Sequence, residues 1–155
     1  MAKHKIIILI PSFNELKDLK KIILEIKKIS DVLVLDDCSI DQTSHWLKAN
    51  KVNYIKNKKN LGYTKNILNG MKYILENLPK YDYILTMDAD GEHKISNIKR
   101  IINSLQVNSK ASMIIGVRDK KNRYIETIIS KLFNYKYNIL DPLSGFKLYK
   151  KNFLE

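Results

Sequence analysis

The sequence predicts an α/β fold: a mostly parallel sheet covered by helices. Three observations predict it. Short β-branched runs alternate with segments of helical period, the apolar stripes of those segments are wide enough to cover a sheet, and clusters of polar residues follow the strands directly. Strands are expected at residues 5–10, 32–35, 52–56, 83–87 and 112–117.

The first run, Ile6-Ile7-Ile8-Leu9-Ile10, follows Lys3 and Lys5 and is closed by Pro11, too early for a signal-peptide core, so it reads as a strand. Leu16, Leu19, Ile22, Ile23, Ile26 and Ile29 then keep the spacing of a buried helical stripe before the second strand. A weaker helix is expected over residues 41–49, with Asp41 a candidate to cap its first turn. Ile67, Leu68, Met71, Ile74, Leu75 and Leu78 mark the next helix. Ile95, Ile98, Ile101, Ile102 and Leu105 mark another, starting near Ser96. Beyond the fifth strand, residues 118–123 form a charged loop, 125–137 carry a helical pattern and 145–149 a short strand. No repeat or Gly/Ser-rich linker divides residues 1–155, so one domain is expected.

Composition bounds the function. With 45% hydrophobic residues, 5 Gly and 3 Pro, the chain can bury a core. The 28 Lys and Arg against 16 Asp and Glu give a formal charge of +12, which favours an anionic partner such as nucleotide, phosphate or a lipid surface. Much of that excess is lysine on helix faces (Lys17, Lys20, Lys21, Lys27, Lys28), where a solvated surface is the plainer reading. The basic residues follow no recognition motif with stacking aromatics, so nucleic acid is not expected as a partner. One cysteine, Cys38, precludes an intrachain disulfide and suits a reducing compartment. No apolar stretch approaches the roughly 18 residues of a membrane span. A cytoplasmic chain, free or at the cytoplasmic membrane face, is expected.

Four polar clusters, at residues 11–15, 36–41, 57–62 and 88–92, each follow a strand. In an open parallel sheet such loops share one edge, where ligands bind at the reversal of strand order. Taken singly, Asp41, Asn57 and Asn60 read as turn formers or caps. The sharpest signal is Met87-Asp88-Ala89-Asp90-Gly91-Glu92: two carboxylates one residue apart at a strand end can turn to one hard cation, which wants oxygen ligands and bridges to phosphate. Their mutual repulsion calls for such a cation or for solvent, and with the other loops around them the cation is the favoured reading over a solvated turn. Glu92 can add an oxygen, whereas His93 reads as a surface residue. A carboxylate at Asp36 or Asp37 can accept hydrogen bonds from a base or ribose. Asn60-Leu61-Gly62-Tyr63-Thr64-Lys65 gives a glycine turn entering a helix, with Lys65 available to an anion, but lacks the glycine spacing of a P-loop.

Together these pieces resemble family 2 glycosyltransferases, in the branch of dolichol-phosphate mannose synthases and polyprenyl-phosphate glycosyltransferases. The matching segments occur in family order: Ile10-Pro11-Ser12-Phe13-Asn14-Glu15, Val34-Leu35-Asp36-Asp37-Cys38-Ser39, Asn60-Leu61-Gly62, Met87-Asp88-Ala89-Asp90 and Asp141-Pro142-Leu143-Ser144-Gly145-Phe146. The resemblance implies the Rossmann-like GT-A fold of nucleotide-diphospho-sugar transferases. It implies that Pro11, Asn14, Glu15 and Asp37 line the nucleotide pocket, and that Asp88 and Asp90 form a DXD motif holding Mg²⁺ or Mn²⁺ on the donor diphosphate. Glu92 stands where the mannose synthases typically carry a metal-binding Gln. Arg118 resembles the arginine that meets an acceptor phosphate, with Arg123 assisting, and Asp141 and Ser144 resemble the acceptor-side motif. The expected reaction is inverting transfer of a sugar from a nucleotide donor to a lipid-linked phosphate or a glycan. A hydroxyl acceptor requires a general base, for which Asp141 is the best-placed candidate; a phosphate acceptor requires none, and Asp141 before Pro142 reads equally well as a cap. Family members usually continue past the Ser-Gly-Phe segment, so a chain ending at Glu155 is expected to be truncated or naturally short.

Other readings meet specific obstacles. A receiver domain carries its acidic pair after the first strand, whereas Asp36 and Asp37 follow the second. A haloacid-dehalogenase phosphatase carries its nucleophile after the first core strand, whereas Asp88 follows the fourth. A nucleotide-sugar-binding module without catalysis fits the same pocket residues and is separated from an enzyme by turnover.

Overall fold

The computed structural model describes residues 4–91, 93–108, 110–118 and 124–154. The chain alternates β1 (Ile6–Ser12), α1 (Leu16–Ile26), β2 (Asp31–Asp36), α2 (Thr43–Ala49), β3 (Asn53–Lys56), α3 (Tyr63–Asn77), β4 (Tyr83–Thr86) and α4 (Ile95–Asn103), then β5 (Met113–Ile115), α5 (Tyr124–Tyr137) and β6 (Lys147–Lys150). All of β1 is buried, as its unbroken apolar run requires of a strand covered on both faces. Its alternate residues feed two cores. Ile6, Ile8 and Ile10 pack with Leu19, Ile23 and Ile26 of α1, Leu47 of α2 and Ile98 of α4, while Ile7 and Leu9 pack with Ile67, Met71 and Ile74 of α3. Period-two strands between period-3.6 stripes thus produce the layered architecture.

The sheet order is β3-β2-β1-β4-β6-β5. β1 pairs in parallel with β2 and β4, and β2 with β3, so strand order reverses between β1 and β4 and their carboxyl ends flank a crevice. The late segments depart most from the sequence expectation. β5 is shorter than residues 112–117, and the strand expected at 145–149 runs from Lys147 to Lys150, inserted between β4 and β5 and antiparallel to both. That insertion carries the Asp141 to Phe146 segment back to the crevice. The first helix ends at Ile26 rather than Ile29. Asp41 does more than cap one turn: its carboxylate accepts from the Thr43 N–H at 2.9 Å and the Leu16 N–H at 3.3 Å, serving the first turns of α2 and α1 together.

Candidate functional site

A cleft of about 870 Å³ opens at the carboxyl ends of β1, β2 and β4. Its wall carries the carboxylates of Glu15, Asp37, Asp88, Asp90 and Glu126, against one cationic side chain, Arg118, among the described residues. The site is therefore acidic in a chain whose net charge is +12. A larger basin of about 1080 Å³ lies at the opposite sheet edge, beside Lys27, Lys28 and Lys80, but its acidic residue, Asp31, is already paired with Lys80 and Tyr81.

Asp36 and Asp37, adjacent in sequence, take opposite duties. Asp36 is fully buried, accepts from the Ser39 N–H at 2.8 Å and from the Ser44 hydroxyl, and turns away from the cleft. Asp37 lines it. Its Oδ1 accepts from Asn57 Nδ2 and the Leu61 N–H, and its Oδ2 from the Gly62 N–H, at 2.8, 2.9 and 2.9 Å. Gly62 makes this contact at φ +79, a backbone that a side chain would strain. Asn57 also donates to Asn66 Oδ1 at 2.9 Å, and buried Asn66 donates to the Leu35 carbonyl at 3.1 Å. One side-chain chain thus ties the loop after β3 and the start of α3 to the end of β2.

On the far side of the crevice, Asp88 leaves β4 with Oδ1 buried and without a hydrogen-bond partner. A buried carboxylate oxygen without a donor is costly, and a hard cation resolves that cost. The backbone is shaped for this carboxylate. A Cβ built on Gly145 would stand 2.5 and 2.8 Å from its two oxygens and 2.8 Å from the Tyr63 hydroxyl, so only glycine lets the strands close here. Thr86 Oγ1 donates to the Gly145 carbonyl at 2.7 Å and holds the approach. Burial, with Asp88 beside it, raises the Tyr63 phenol above its ordinary range, so it remains a protonated donor next to the carboxylate. Glu15 is also pushed up, first by burial and then by the charges of Asp90 and Asp88. Among the described residues no three acidic, His or Cys side chains gather closely enough to hold an ion by themselves. A cation fits here in the manner of Mg²⁺, with one or two carboxylates and the remaining ligands from phosphate and water.

The third wall comes from β5, α5 and the segment before β6. Arg118 Nε and Nη2 donate to Asp141 Oδ2 and Oδ1 at 2.9 and 3.0 Å, and the Arg118 N–H donates to Oδ2 at 3.2 Å. Asp141 is fully buried, and this fork holds the Arg118 guanidinium still more firmly protonated. The remaining nitrogen, Nη1, lies 3.2 Å from Glu126 Oε2, an oxygen that is buried yet makes no aligned hydrogen bond.

Residues 7–154 match the profile of glycosyl transferase family 2. The chain belongs to that family. It is 32% identical to an uncharacterized protein of Methanocaldococcus jannaschii, over 96% of this chain and 73% of the relative. It is 25% identical to the UDP-N-acetylglucosamine–dolichyl-phosphate N-acetylglucosaminyltransferase of Methanococcus voltae, over 100% of this chain and 73% of that protein. Among solved structures it superimposes with a TM-score of 0.76, at 15% identity, on glucosyl-3-phosphoglycerate synthase of Mycobacterium tuberculosis in complex with Mn²⁺, UDP and phosphoglyceric acid. This covers 96% of this chain and 56% of the solved one, so the chain spans little more than half the length of that enzyme. The shared architecture is the GT-A fold.

Within this family 2 domain, Pro11, Glu15, Asp37, Asp88, Asp90 and Arg118 line the cleft. Asn14 instead clasps the neighbouring loop: at φ +58 its N–H donates to Ser39 Oγ and its Oδ1 accepts from the Ile40 N–H. Lys65 is exposed on the first turn of α3, away from the cleft wall. Asp141 and Ser144 lie buried behind it, Ser144 Oγ accepting from the Phe146 N–H at 3.2 Å. Glu92 and Arg123 fall outside the described residues. His93, read as a surface residue, stacks on Phe146 with ring centroids 4.5 Å apart. Tyr63, Asn66 and Glu126 were missed. Asn66 had a signal, a polar residue in register with Gly70 and Ile74 on the buried stripe of α3.

Proposed function

We propose that this domain binds a nucleoside-diphosphate sugar through a divalent cation and transfers the sugar, with inversion, to a polyprenyl phosphate presented at the cytoplasmic face of a membrane. The observation that carries the reading is the partnerless buried oxygen of Asp88 in a carboxylate-lined cleft at the strand-order switch. A diphosphate cannot enter such a wall without charge compensation. Asp88 and Asp90 would hold Mg²⁺ or Mn²⁺, with Glu92 as a third candidate, and the ion would supply neutralisation of the charge that grows on the departing diphosphate. Asp37, its loop fixed by Asn57 and Gly62, forms the floor for base or ribose, flanked by Pro11 and Glu15. The UDP-sugar donor of the methanogen relative and the UDP bound to the mycobacterial synthase make uridine the first base to test.

For the acceptor, Arg118 is the group that can meet a phosphate, held in place by Asp141. A phosphate oxygen is already ionised and attacks without a base, which suits an Asp141 whose carboxylate is wholly engaged. Two observations favour a lipid-linked acceptor: the dolichyl-phosphate acceptor of the methanogen relative, and α5 beside the site. That helix exposes Tyr124, Ile125, Leu132 and Tyr135 together with Lys131 and Lys136, the combination an anionic membrane surface takes up reversibly. Among the described residues no helix is long and apolar enough to cross a membrane. The test supplies labelled UDP-sugars with polyprenyl phosphate or with soluble hydroxyl acceptors, with and without Mn²⁺. Metal-dependent transfer to the lipid phosphate supports the reading, transfer only to hydroxyl acceptors removes the lipid-phosphate acceptor, and binding of donor without turnover to any acceptor leaves a binding module.

A further inference from the structure

Helix α5 carries its polarity reversed. Ser130 is its buried residue, Glu126 one turn earlier reaches the cleft wall, and the large apolar side chains Leu132, Tyr135 and Tyr137 face out. Glu126 belongs to none of the motifs that carry the family resemblance, yet it is the only side chain beside Asp141 that forms an ion pair with Arg118 among the described residues.

We propose that Glu126 selects the acceptor: its carboxylate occupies the one edge of Arg118 open to a phosphate, so that acceptor binding exchanges Glu126 for the phosphate. The inference rests on the phosphate-acceptor reading above. Three facts lead to it. The Nε and Nη2 edge of Arg118 is closed by Asp141, a fully buried carboxylate that takes both side-chain bonds of the fork and the Arg118 N–H as well. Among the described residues the Nη1 edge is held only by Glu126, whose Oε2 is desolvated without an aligned hydrogen bond, making it the weaker partner. The rest of the charged wall is carboxylate, so no other described lining side chain offers an incoming anion a cation. A phosphate can form the forked, charge-assisted contact that Glu126 fails to make. A neutral hydroxyl cannot displace a carboxylate, so Glu126 reserves Arg118 for anionic acceptors. Its release costs little packing, because α5 buries so little of itself.

The test measures binding of inorganic phosphate and of a short-chain prenyl phosphate, by calorimetry, to protein saturated with UDP and Mn²⁺. Wild type is compared with Glu126→Gln, which keeps the size and removes the charge, and with Glu126→Asp. Glu126→Gln should bind prenyl phosphate about tenfold more tightly, the scale expected from removing one like charge in a partly screened site. Inorganic phosphate should follow if the phosphate group alone is read, and Glu126→Asp should stay near wild type. Should Glu126→Gln lower the melting temperature, Glu126→Ala provides the second neutral variant. Wild type binding prenyl phosphate with neither neutral variant binding it better would overturn the role of Glu126 alone. Failure of every protein to bind any phosphate while all bind UDP and Mn²⁺ would overturn the acceptor reading with it.

Discussion

The two sides of the cleft are built by different forces. The proposed donor side, where β1, β2 and β4 end, rests on largely buried parallel strands and on a hydrogen-bond chain through Asp37, Asn57 and Asn66. The acceptor side rests on a three-residue strand, a helix with one buried residue, and the ion pairs of Arg118. Core packing fixes the first, charge the second. Packing constrains many atoms at once, whereas an ion pair fails when either partner is lost, so the acceptor side should break first and alone.

Breaking it at its centre gives the largest expected effect. Arg118→Ala removes the forked partner of a fully buried Asp141 carboxylate and should cost about 3–5 kcal/mol of stability, read as a lowered midpoint in urea. UDP binding at temperatures where the variant is folded should survive. Loss of donor binding in folded protein would erase the contrast between the sides. Gly145→Ala should act in the opposite sense. Its methyl group would press on both Asp88 oxygens and the Tyr63 hydroxyl, so Mn²⁺-dependent UDP affinity should fall roughly tenfold or more while phosphate binding at Arg118 persists. Unaltered UDP affinity in that variant would show that Asp88 tolerates displacement. Asn66→Ala removes one buried link between β2 and the Asp37 loop and should cost about 1–3 kcal/mol. Thermal unfolding should show that loss without a change in metal dependence.

The parallel half was legible because its signals are local. An unbroken apolar run such as 6–10 or a stripe such as Leu19, Ile22, Ile23 and Ile26 states its burial in its own spacing, and Asp88-Ala89-Asp90 ends a strand where a site belongs. The acceptor half was not, because its organisation is long-range. Nothing near Lys147 announces that its strand will slot between β4 and β5, and the pairing of Arg118 with Asp141 and Glu126 joins the end of β5, α5 and the segment before β6 with no spacing to signal it. Asn14 shows the limit within the donor half. A residue in a nucleotide-pocket motif folds into a loop clasp with Ser39 and Ile40, because a left-handed turn there needs its side chain more than the cleft does.

A smaller effect sharpens the electrostatic part. Burial and the neighbouring Asp90 and Asp88 raise the folded-state value of Glu15 above its unfolded one, so ionising it opposes folding. Without metal, the Glu15 contribution to stability should be fully present below the ordinary glutamate range and be lost as pH rises through the raised folded value. Glu15→Gln should flatten that decline, as should Mn²⁺ with UDP. A pH profile of melting temperature indifferent to both would remove Glu15 from the acidic cluster.

We propose above that the donor enters the acidic cleft only with a divalent cation held at Asp88 and Asp90. Thermal shift with UDP, Mn²⁺, both or neither, on wild type and Asp88→Asn, tests it most directly. A large rise in melting temperature is expected for wild type only when UDP and Mn²⁺ are present together, and its loss in Asp88→Asn with the unliganded fold intact. An equal rise with UDP alone, or one retained in Asp88→Asn, would contradict it.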